Sequence, residues 1–129
     1  MRNRRIYLSA LALLGLPAAA HHSPAIYDLS HEQTITGTVV DFEWVAPHTW
    51  VTVNAADDAG AVTTWSLEGM NPSYLGRRGW NRSTLNPGDR IEVTFYPRKD
   101  GTLAGMFLRG KLADGTVKVM AISPEVNTQ

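Results

Sequence analysis

Histidine is scarce in this chain, and three of the four copies stand where metal chemistry is possible. His21-His22-Ser23 follows Pro17-Ala18-Ala19-Ala20, where Ala18 and Ala20 occupy the A-x-A places of a signal-peptidase site. Cleavage after Ala20 makes His21 the first residue. Its amine and imidazole then chelate one ion, and a third nitrogen completes a copper site of the histidine-brace type, since imidazole suits copper, zinc and nickel. Cleavage one residue earlier gives Ala20-His21-His22. A third-place histidine wraps Cu(II) or Ni(II) together with the intervening amide nitrogens. A polar tail without a ligand role is the alternative at this position. His48 is the candidate third nitrogen, with Glu68 as a further ligand or as the acceptor that fixes the ring's tautomer. The bland alternative is a surface His–Glu pair of little energetic weight. His31 lies in a polar stretch and takes no role.

His48 and Glu68 must be positioned by strands. Thr34 to Val45 is rich in β-branched and aromatic residues and predicts a first strand, with Gly37 where it coils sharply. Ala46-Pro47 breaks the pattern, because proline cannot donate to a ladder. His48 to Ala55 and Ala61 to Glu68 predict a hairpin around the loop Ala56-Asp57-Asp58-Ala59-Gly60. Pairing Ala55 with Ala61 puts Val53, Val51, Trp65 and Leu67 on one, mostly apolar face. The other face then carries His48, Trp50, Ser66 and Glu68, with His48 opposite Glu68. Trp50 and Ser66 on an outer face are a candidate ligand or partner surface, since a large exposed aromatic is informative. Burial of Trp50 under the N-terminal lead-in is the alternative.

Downstream, Asn71-Pro72 reads as a helix cap and first turn, with Ser73 to Arg78 helical and Gly79 as the left-handed stop. Trp80 packs back over the helix end. Arg77, Arg78 and Arg82 form a local basic patch that suits an anionic ligand or partner, or simply favours the helix dipole. Arg90 to Tyr96, Thr102 to Leu112 and Val117 to Met120 predict three more strands. Three strands, a short helix and two strands is the order of an OB-fold, a five-stranded Greek-key barrel that binds ligands on strands 2 and 3. The fold class expected is therefore all-β, a small OB-fold-like barrel with one short helix between strands 3 and 4.

The first twenty residues read as an export leader, with Arg2, Arg4 and Arg5 ahead of an apolar run from Ile6 to Leu16. That run is too short to span a bilayer comfortably, so no stable membrane span is expected after cleavage. Arg4-Arg5 also gives a loose twin-arginine match. The expected organisation is a signal peptide over 1–20, an extended lead-in over 21–33, a barrel over 34–121 and a loose tail over 122–129, in a periplasmic or secreted protein. In the mature chain nine Lys and Arg face twelve Asp and Glu, a formal charge of −3. This argues against nucleic acid, which needs a basic footprint. Without cysteine there is no disulfide, thiolate site or thiol nucleophile.

No catalytic constellation is apparent: the chain lacks a nucleophile elbow, a zincin helix and a phosphate loop. A histidine brace supports oxidative chemistry, so an oxidase is retained as the least favoured reading. The landmarks His21-His22-Ser23, Thr36-Gly37-Thr38-Val39, Glu43-Trp44, Pro47-His48, Trp50, Glu68, Arg77-Arg78-Gly79-Trp80, Pro87-Gly88-Asp89 and Lys99-Asp100-Gly101 stand together in this order. In this combination the chain resembles a family of small exported bacterial proteins of unknown function. One departure is Ala46, where the family often has Asn, so any polar role of that side chain is absent. The resemblance implies export and a small β-barrel, and it implies no activity or cofactor. The expected function is binding of a copper-type ion through His21, His22 and His48 with Glu68 nearby. The alternative is a metal-free module that takes a small ligand or an envelope protein through the face around Trp50.

Overall fold

The computed structural model describes residues 24–121. The expected leader, His21, His22 and the tail beyond residue 121 lie outside the described residues.

Six strands form one sheet: β1 (Gln33–Glu43), β2 (Trp50–Ala56), β3 (Val62–Glu68), β4 (Arg90–Pro97), β5 (Ala104–Leu112) and β6 (Val117–Val119). Their order is β3-β2-β1-β4-β5-β6, and a further β3–β5 pairing closes the first five into a barrel. The closure is parallel, with Ser66 beside Ala104, Leu67 beside Gly105 and Glu68 beside Met106. One short helix, α1 (Pro72–Gly76), lies between β3 and β4. This is the OB-type barrel expected from the strand order. Among the described residues no helix is long and apolar enough to cross a membrane.

Alternation drives the closure. Val51, Val53 and Leu67 are fully buried, and they meet Val93, Phe95 and Phe107 inside the barrel. Gly37 sits where β1 is paired on both edges, with Ala55 on β2 and Ile91 on β4. A Cβ there would stand 2.3 Å from the Asn54 carbonyl oxygen, so the strands cross only because the residue is glycine. At the barrel's end the Asn71 side chain accepts from the Ser73 N–H at 2.8 Å, capping α1 as expected. Gly79 turns the chain at φ 80°, and Trp80 folds back into the core beside Phe42 and Phe107.

The hairpin differs from the expected register. Its loop is Asp57 to Ala61, closed by Asp57, whose carboxylate accepts from the Ala59 and Ala61 N–H groups at 2.9 Å. Ala56 therefore pairs with Val62, and Trp50, not His48, is the ladder partner of Glu68. The shift moves each strand by one residue in opposite senses. Parity is kept, so the apolar set stays inside. β2 accordingly starts at Trp50, and His48 precedes it.

The lead-in is also less extended than expected. Pro24–Ile26 form a 3-10 turn, after which Tyr27 bridges to Arg98. The Asp28 N–H donates to the Pro97 carbonyl at 2.8 Å and the Lys99 N–H to the Ile26 carbonyl at 3.0 Å. Tyr27 and Ile26 thus pin this segment to the barrel.

Candidate functional site

Glu68 ends β3 between two neighbours, with Trp50 beside it on β2 and Met106 beside it on β5. Its side chain is buried, at 8% exposure. A carboxylate in such a place costs several kcal/mol to desolvate unless it is fully hydrogen-bonded. Two side chains meet that need. The Tyr27 hydroxyl donates to Oε2, and His48 Nδ1 meets Oε1. An ionised carboxylate only accepts, so the imidazole nitrogen facing it carries the proton. In the neutral ring the lone pair then lies on Nε2. Tyr27 is pushed above the usual tyrosine range, first by burial and then by its bond to Glu68, so it stays a donor at neutral pH.

Local backbone geometry brings His48 to this point. Ala46–Pro47, a cis peptide, lies between β1 and β2. Beyond Trp50 the pairing with the end of β3 continues irregularly. The Gly69 N–H donates to the Thr49 carbonyl at 2.7 Å, and the Thr49 N–H to the Met70 carbonyl at 3.2 Å. The Thr49 hydroxyl adds a bond to the same Met70 carbonyl at 3.0 Å. His48 therefore runs beside Met70 and reaches Glu68 with a side chain still 37% exposed. Gly69 has no room for more: a Cβ there would lie 2.2 Å from Met120 Sδ and 2.3 Å from Thr49 Oγ1.

These residues line a cavity of about 320 Å³, with Tyr27, His48 and Glu68 as its polar part and Gly69, Met70, Met106 and Phe107 as its apolar wall. A mostly apolar cavity with a few convergent polar groups is the usual form of a ligand site. Among the described residues no group of three or more His, Cys, Asp or Glu stands together.

The family model described as "Family of unknown function (DUF6152)" matches residues 10–109. The chain belongs to this family. No curated protein and no solved structure matches it. The matched span contains Tyr27, His48, Glu68, Met70 and Met106, and with Gly69 and Phe107 the whole cavity wall.

The structure brings His48 and Glu68 together. Trp50 is half-buried and shares Glu68's face, and Ser66 is exposed two residues upstream on β3. Neither lines the cavity. Arg77 and Arg78 lie exposed after α1, with the Arg78 guanidinium 3.6 Å from the centre of the Tyr74 ring. Arg78 lines a separate groove with Tyr74, Trp80 and Lys118, so the basic patch is not part of the His48 site. Met70, Met106 and Tyr27 line the cavity but were not among the candidate residues of the sequence. An aromatic residue in a polar lead-in was the one signal for Tyr27, and nothing local marks the methionines.

Proposed function

We propose that this is an exported β-barrel binding protein that takes a copper-type ion at the His48–Glu68 corner. In this reading His48 coordinates through Nε2, and His21 and His22 of the mature N-terminus complete the donor set. The observation that carries it is the buried Glu68 carboxylate held against His48 Nδ1, with Tyr27 on its other oxygen. Ligating histidines usually give their second nitrogen to a carboxylate, which sets the tautomer and the ring's direction. Reach also supports it. Tyr27 touches Glu68, and the five residues from there back to His22 span at most roughly 18 Å of extended chain. Calorimetry with Cu(II) tests the reading. The mature protein binds one ion, His48→Ala abolishes binding, and Glu68→Gln weakens it by about 10–100-fold. Binding that ignores both substitutions contradicts it.

The cavity favours a second reading, a metal-free module for a small apolar ligand with a polar end held by Tyr27, Glu68 and His48. A partner of the cell envelope docking on Trp50 and Ser66 belongs to the same class. Binding that survives chelation and is lost in Trp50→Ala would support the partner form.

A further inference from the structure

We infer that the cavity beside Glu68 is a site for reduced, monovalent copper, held by the thioethers of Met70 and Met106 together with His48. The inference rests on the copper reading above and adds the oxidation state and two ligands to it.

Three separate stretches of chain carry methionines to one corner. Met106 on β5 is the parallel ladder partner of Glu68, so register puts it beside the carboxylate that holds His48. Met70 follows β3 and is fixed by two bonds from Thr49, the residue after His48. Both line the cavity along with His48. Met120 comes from beyond β6 and packs against Gly69 from behind, with its sulfur 4.0 Å from Thr49 Oγ1. Every methionine among the described residues therefore lies at this corner.

Methionine is also a common filler of irregular core gaps. Met120 fits that role, at 1% exposure in the main core. Met70 and Met106 also pack against the core on one side, but both are only half-buried and form part of the cavity wall on the other. A thioether is a soft, uncharged donor, and soft sulfur ligands select Cu(I) among biological cations. The apolar wall agrees with this choice. Placing one positive charge in a poorly solvated site costs less than placing two, and a nearby buried carboxylate offsets it. Nitrogen donors at the amino terminus suit Cu(II), whereas this cavity suits the reduced ion.

The test is anaerobic competition for Cu(I) against the chromophoric chelator bicinchoninate, using the mature protein and its Met70→Leu, Met106→Leu and double variants. These swaps conserve volume, so the fold is expected to survive, with melting temperatures as the check. Wild-type protein takes one Cu(I) from the chelator. The double variant loses more than the roughly 100-fold that an outer-sphere change explains, and its X-ray absorption spectrum loses the sulfur shell. Cu(II) affinity on the same variants stays near that of wild type. Undiminished Cu(I) affinity in the double variant, with Cu(II) binding intact, overturns this inference and leaves the copper reading standing. Failure of the wild-type protein to bind either ion overturns both. Methionine-dependent Cu(I) binding without any Cu(II) binding supports the inference and removes the amino-terminal site.

Discussion

At the scale of single residues, the site is decided by how Glu68 is kept in its buried place. Its two oxygens face Tyr27 and His48, and removing either partner leaves a desolvated acceptor without a donor. Tyr27→Phe deletes one hydroxyl and little else. It is expected to lower the unfolding free energy by about 1–3 kcal/mol, read as a lower urea midpoint at unchanged slope. The effect depends on pH in a defined direction. Burial and Glu68 raise the folded-state pKa of Tyr27, so its contribution is fully present below the unfolded value near 10. It is lost as pH rises from there through the folded value, because the unfolded tyrosine releases its proton first. The stability gap between wild type and Tyr27→Phe should therefore narrow above about pH 10. A gap that widens would contradict the assignment. His48 and Glu68 were legible as a pair because strand alternation put them on one face. The Tyr27 hydroxyl was not, since nothing in a lead-in's composition says which strand end it will meet.

Elements explain why the pair survived a wrong register. The hairpin loop begins one residue later than its composition suggests, because Asp57 serves as the loop's own acceptor. The ladder partner of Glu68 changed to Trp50, yet each residue kept its face. His48 reaches Glu68 from outside the ladder, by way of the Thr49 bonds to Met70. Helix capping by Asn71 and the Gly79 stop followed directly from residue chemistry and appear as expected. Gly37 makes the sharpest element-scale prediction. A methyl group there meets the β2 backbone at Asn54 and the Val53 side chain, and neither can yield without opening the β1–β2 ladder. Gly37→Ala should destabilise by about 1–3 kcal/mol and loosen amide protection along both strands. Unchanged stability would mean that the strands can separate at no cost.

Over the whole molecule, strand order alone pointed to the barrel, since three strands, a helix and two strands close in few ways. What local pattern could not supply is the parallel seam between β3 and β5. That seam brings Met106 across to Glu68 from 38 positions away in the chain, and so builds the cavity wall. The lead-in does the same from the other end, fastening Tyr27 under the corner. The protein is a small barrel in which the lead-in, one hairpin and one distant strand meet at the cavity, the corner proposed to bind copper. Native mass spectrometry of the mature protein tests the proposed copper site most directly, because it reports the first residue and any retained ion together. A chain that begins at His21 or Ala20 and carries one copper ion is expected, with a His48→Ala variant that carries none. A wild-type protein that stays copper-free when copper is supplied, or a variant that retains copper equally well, would contradict it.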